Sequence, residues 1–224
     1  MILLSDPTVA AISVAENNDP LVDLCEVDEL LVDPRLADDA GTYAMLRHGV
    51  VSRLLTAQRS LPPGLRLLII EGYRPLAEQR GLFTECQDEL RVLHPHWDPD
   101  RVYIEASRYI SPPVVAPHST GGAVDLTLCT ADGTELNCGT QVSVTPLVSG
   151  DACYTAAAGI SARARRNREL LRVSLTIAGL VNYPTKWWHW SYGDRYWARS
   201  TGAVCARYGP VVLSRSTRTA RVPA

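Results

Sequence analysis

The run His118-Ser119-Thr120-Gly121-Gly122-Ala123-Val124-Asp125-Leu126-Thr127-Leu128-Cys129-Thr130 changes character part-way along. From Gly122 it alternates, with Ala123, Asp125 and Thr127 on one side and Val124, Leu126 and Leu128 on the other, the period-two pattern of a strand. Asp125 is therefore a charge on the face opposite the greasy one. Just upstream, Ser111-Pro112-Pro113-Val114-Val115-Ala116-Pro117 cannot be helical, because prolines remove backbone donors and push the residues before them into extended geometry. A loop thus presents His118, and the strand it feeds presents Asp125, seven positions on. The turn Asp132-Gly133 follows.

Outward from this stretch, Leu65 to Ile70 is an apolar run of strand length, interrupted only by Arg66, that delivers the polar turn Glu71-Gly72-Tyr73-Arg74-Pro75. Leu46, Val50 and Leu54, with Val51 and Leu55, recur at helical spacing and predict a helix from about Tyr43 to Ser60, ended by Leu61-Pro62-Pro63-Gly64. Further helices are expected at about 76–92, at about 99–109 behind the cap Asp98-Pro99, and at about 158–178. Aromatic strands are expected around Trp187–Tyr192 and Arg195–Trp197. Residues 1–40 are acidic and irregular, with strand-like pieces such as Leu21-Val22-Asp23-Leu24.

With 224 residues, 46% hydrophobic and 21% charged, the chain is expected to fold as one domain over 1–213, followed by a basic, frayed tail at 214–224. A formal charge of −2 gives no bulk attraction to nucleic acid or acidic membranes, so the expected partner is a small molecule or peptide. The N-terminus lacks a basic n-region and a long apolar stretch, and no apolar run reaches membrane-spanning length; the expected location is cytoplasmic. Six cysteines without any Cys-x-x-Cys spacing read as buried or idle thiols. The arginines between Arg163 and Arg172 read as a solvated helix face.

His118 and Asp125 are both usable zinc ligands, and His189 in Trp187-Trp188-His189-Trp190 is the best third candidate for a site that leaves one position open to water. Strand alternation puts Trp188 and Trp190 opposite His189. From spacing alone, His118 and His189 read equally well as two unrelated histidines satisfying local hydrogen bonds.

The run Glu71–Pro75, the run His118–Asp125, and Trp187–His189 with Gly193-Asp194 together resemble the D-alanyl-D-alanine dipeptidases, the VanX-type branch of the M15 zinc peptidases. The similarity extends through about residues 20–210. The resemblance implies an α+β fold with a central antiparallel sheet flanked by helices, zinc on His118, Asp125 and His189, and Arg74 beside the cleft. It also implies a small dipeptide substrate such as D-Ala-D-Ala. In such enzymes zinc acidifies a bound water and polarises the peptide carbonyl, while the arginine stabilises the tetrahedral oxygen. The same donor set would take cobalt, nickel or iron. For Arg74 the competing reading is an ion pair with Glu71.

One position departs from the family pattern. The glutamate expected three residues before the last histidine, the general base, is here Lys186, the only lysine among 22 Lys+Arg residues. An ammonium cannot accept a proton, although desolvation and a neighbouring dication would drive it toward the neutral amine. Four readings follow: a dipeptidase slowed by the change, a repurposed zinc enzyme using Lys186 on an amino-acid-like substrate, a zinc-holding binding protein without turnover, or a solvent-facing Lys186 with another carboxylate as base. A second departure is Asn137, where relatives commonly carry aspartate. It reads either as a lost pocket carboxylate, which together with Lys186 would favour anionic ligands, or as a strand-end turn that tolerates either residue. The aromatics from Trp187 to Trp197 read as a packed wall behind the site.

Overall fold

The computed structural model of the protein describes residues 1–213; the expected tail at 214–224 lies outside the described residues. In chain order the elements are α1 (Pro7–Ala10), β1 (Leu21–Asp23), β2 (Leu31–Val32), β3 (Met45–Arg47), α2 (His48–Ser60), β4 (Leu65–Glu71), α3 (Leu76–Leu93) and α4 (Pro99–Ala106). They continue with β5 (Ala123–Thr130), α5 (Pro146–Ser149), α6 (Ala162–Ile177), β6 (Val181–Asn182), β7 (His189–Ser191) and α7 (Arg195–Thr201). The main sheet has five strands in the order β2-β4-β5-β7-β6. Its centre is antiparallel, as the resemblance implies, but the short edge strand β2 runs parallel to β4. A separate antiparallel ladder pairs β1 with β3.

One large core holds the sheet and helices together. Val50 and Leu54 of α2 and Leu171 and Leu175 of α6 belong to the same buried cluster as Leu67 and Ile69 of β4 and Val124, Leu126 and Leu128 of β5. The apolar period of α2 and the alternation of β5 thus bury the faces they were expected to bury. A smaller cluster of Phe83, Leu90, Val102 and Ala106 closes α3 onto α4.

Local chemistry moves several boundaries. The helix expected from Tyr43 begins at His48, because Met45–Arg47 pairs with Leu21–Asp23 and Thr42–Ala44 is a 3-10 turn. The helix expected from 158 begins at Ala162, where Ser161 accepts a hydrogen bond from the Ala164 amide. The segment Arg195–Trp197, expected as a strand from its aromatics, is helical. Gly193 takes φ +79° and the Asp194 carboxylate caps the Trp197 amide, so a capping signal overrides β propensity. All six cysteines are free.

Candidate metal centre

The centre is assembled by strand register. Asp125 of β5 pairs with His189 of β7 on one side and with Glu71 of β4 on the other. Directly opposed residues share a face, so Glu71, Asp125 and His189 form one row across the sheet. The third ligand candidate comes from the 3-10 turn His118–Thr120, which the preceding prolines deliver over the row.

The candidate atoms converge. His189 Nδ1 lies 2.8 Å from Asp125 Oδ1, His118 Nε2 lies 3.2 Å from the same oxygen, and the two ring nitrogens are 3.1 Å apart. All three residues are buried. His118 Nδ1 sits 2.6 Å from the Gly72 carbonyl oxygen, which can only accept, so Nδ1–H donates and Nε2 is the nitrogen turned toward the Asp125 carboxylate. Two imidazoles and a carboxylate within 4.8 Å are a donor set that could hold a metal ion. The carbonyl on the far ring nitrogen is the kind of partner that orients a ligating histidine.

Electrostatics agree with this geometry. The neighbouring imidazoles hold the Asp125 carboxyl well below its ordinary range against the cost of burial. Burial pushes His189 down to about 4, although its hydrogen bond with Asp125 opposes the change. A neutral imidazole beside an ionised carboxylate is the protonation state that ligates a metal.

Two residues that carry no chemistry fix the frame. At Gly72 an added Cβ would lie 2.5 Å from the Met45 carbonyl oxygen, so only glycine lets this turn dock against the β3 segment and aim its carbonyl at His118. The buried Arg47 donates from Nε to the Thr120 carbonyl (2.9 Å) and from Nη1 to the Asp19 carbonyl (2.6 Å), pinning the turn that carries His118 to the N-terminal segment. Sequence reasoning passed over both. Gly72 stood within a quoted motif, but nothing local marks Arg47.

Arg74 is ion-paired with Glu71 and also borders a cleft. Its Nε and Nη2 bind the two oxygens of Glu71 at 2.7 and 2.5 Å, its Nη1 binds Gln79 Oε1 at 2.8 Å, and it lines a cleft of about 300 Å³ with Glu71, Tyr73, Glu78 and Ser143. Burial disfavours its charge, but Glu71 more than compensates and raises its pKa. Lys186 is half-buried and its backbone is tied on both sides. Its amide donates to the Tyr183 carbonyl, and its own carbonyl accepts from Asn182 Nδ2 at 3.0 Å and from the His189 amide at 3.2 Å. Burial lowers the pKa of its amine and Arg74 adds to the effect, against Asp125 and Glu71.

Asn137 does not reach the centre. It is exposed, its Oδ1 accepts from the Gly139 amide at 2.7 Å, and its carbonyl accepts from Asn167. It is a turn residue, and the cleft is bordered instead by Asp38, Glu71 and Glu78, so the expected bias toward anionic ligands loses its second support. Of the aromatics expected as a wall, Trp187, Trp188, Trp190, Tyr192 and Tyr196 are buried, whereas Trp197 is half-buried. Among the described residues no helix is long and apolar enough to cross a membrane.

A D-alanyl-D-alanine dipeptidase of Synechocystis sp. is 31% identical over 179 residues, covering 69% of this chain and 71% of that protein. A D-alanyl-D-alanine dipeptidase of Enterococcus faecium is 30% identical over 169 residues, covering 71% and 76%. Among solved structures, the LdcB LD-carboxypeptidase aligns with a TM-score of 0.45 at 17% identity, over 86% of this chain and 77% of that one. The family model described as D-ala-D-ala dipeptidase, Peptidase_M15, matches residues 32–205, a span that contains Arg74, His118, Asp125, Lys186 and His189. A match of that length, together with relatives of this similarity, establishes that the chain belongs to the M15 family of D-Ala-D-Ala dipeptidases.

Proposed function

We propose that the chain is a zinc-dependent dipeptidase-type protein acting in the cytoplasm on a small D,D-dipeptide such as D-Ala-D-Ala. In this reading His118, Asp125 and His189 hold the metal, Arg74 serves the reacting carbonyl and Lys186 stands at the position of the general base. The observation that carries it is the meeting of three buried side-chain atoms of ligand type, two ring nitrogens and a carboxylate oxygen, within 3.2 Å of one another, with the far nitrogen of His118 engaged by the Gly72 carbonyl. Relatives at about the same similarity are D-alanyl-D-alanine dipeptidases, which supports the substrate class.

Zinc bound there would supply a Lewis acid that acidifies water and polarises a peptide carbonyl. The chain's own residues do the rest. Glu71 and Gln79 hold the Arg74 guanidinium in one plane, leaving further N–H groups to meet oxyanion charge as it develops. Lys186, in its neutral form, accepts a proton from the attacking water. Its single nitrogen cannot relay that proton to the leaving amine as two carboxylate oxygens can, so hydrolysis is slow by a factor of about 10²–10⁴ relative to a glutamate at this position. The direct test is metal content by dialysis and elemental analysis. One zinc per chain is expected, lost in His118→Ala and in His189→Ala, and full occupancy in either variant would sink the ligand assignment.

The burial of Lys186 favours a second reading. An amine of lowered pKa is a nucleophile, and attack on a substrate carbonyl carbon with loss of water would form an imine. Borohydride reduction in the presence of small keto acids would then leave a stable mass increment on Lys186; an unmodified Lys186 would dismiss this reading.

A further inference from the structure

Beside the Arg74 cleft lies a second cavity of about 210 Å³, lined by Leu82, Cys86, Leu90, Leu93, Tyr109 and Ile110, with Glu85 and Glu89 at its rim. The two cavities meet at Leu82, which lines both, and the same loop borders them through Ser143 on one and Thr145 on the other. The second cavity opens between α3 and the chain that follows α4, where the half-buried Cys86, Tyr109 and Ile110 pack against the Phe83–Ala106 cluster.

An apolar cavity of about 150 Å³ is enough to hold benzene, so this one accommodates a phenyl or isobutyl group. A pocket built for two methyl groups has no use for that space. We infer that the cavity between α3 and Tyr109-Ile110 is a side-chain subsite, and that the preferred substrate is a D,D-dipeptide in which one residue carries a large apolar side chain. This rests on the dipeptidase reading above.

Cys86 is the residue to change, because it lines the cavity and takes no part in the proposed chemistry. Calorimetric titrations of the zinc-loaded protein with D-Ala-D-Ala, D-Phe-D-Ala and D-Ala-D-Phe form the test. One of the phenylalanyl dipeptides is expected to bind at least about tenfold more tightly than D-Ala-D-Ala, given what burial of such a side chain contributes. Cys86→Phe, which fills the cavity, should abolish that preference and leave D-Ala-D-Ala binding unchanged within about twofold. Cys86→Ala, which enlarges the cavity, should keep the preference. If D-Ala-D-Ala binds and neither phenylalanyl dipeptide binds better, or if the preference survives Cys86→Phe, the subsite is overturned and the dipeptidase reading stands. If no dipeptide binds, both fall together.

Discussion

Asp125 and His189 face each other directly in the register of β5 and β7, with Oδ1 and Nδ1 2.8 Å apart. Glu71 continues the same row on β4, so a carboxylate, a candidate ligand pair and the anchor of Arg74 are all set by backbone pairing rather than by a flexible loop. Neighbouring strands lie about 4.8 Å apart, close enough for these side chains to act on one another.

Burial of His189 in this row makes the metal-free protein acid-labile. The folded state holds His189 at about 4 against an ordinary 6.5, so the unfolded chain takes up a proton first as the pH falls. The stability concerned is fully present above 6.5 and is lost as the pH falls to about 4, on the order of 3 kcal/mol. Asp125, also depressed, extends the loss below its ordinary 3.8. Urea denaturation of the metal-free protein at pH 7, 5.5 and 4 should give steadily falling midpoints, and a flat profile would contradict a buried, neutral His189.

Gly72→Ala should disturb the site without touching a ligand. The new Cβ would press on the Met45 and Tyr43 carbonyl oxygens at 2.5 and 3.1 Å, and relief of that clash would move the carbonyl that orients His118. We expect a loss of about 2 kcal/mol in stability and zinc affinity weaker by about 10- to 100-fold. Competition against a chromogenic chelator measures the second effect; unchanged affinity would show that the Gly72 contact is incidental.

Glu71 and Arg74 should behave as a unit. With side-chain exposures of 14% for Arg74 and 9% for Glu71, removal of either charge strands the other. Glu71→Gln and Arg74→Met should each destabilise by about 2–3 kcal/mol, and the double variant should cost less than the sum, with a coupling above about 1 kcal/mol. Strict additivity in chemical denaturation would mean that water already screens the pair.

Much of this arrangement was legible in the sequence. The alternation of Gly122–Thr130 placed Asp125 on a face opposite the apolar one, and the prolines before His118 placed it on a loop, because both signals are local. Local signals misled where two of them competed: the aromatics of Arg195–Trp197 suggested a strand, yet the Gly193-Asp194 cap made a helix. The convergence of His118 with His189 was not readable from spacing, since it depends on pairing between strands separated by 64 residues along the chain at Asp125 and His189. Arg47 was invisible for the same reason, as its partners Thr120 and Asp19 come from distant segments. Asn137 shows the converse, a departure from the family pattern that the fold places in a solvent-facing turn.

The central claim is a dipeptidase framework whose base position holds Lys186. Release of D-alanine from D-Ala-D-Ala by the zinc-loaded protein and by its Lys186→Glu variant, side by side, tests it most directly. The variant should hydrolyse the dipeptide about 10²–10⁴ times faster than the lysine form. Equal or greater activity in the lysine form would contradict the assignment of the base, and inactivity of both would contradict the dipeptidase framework itself.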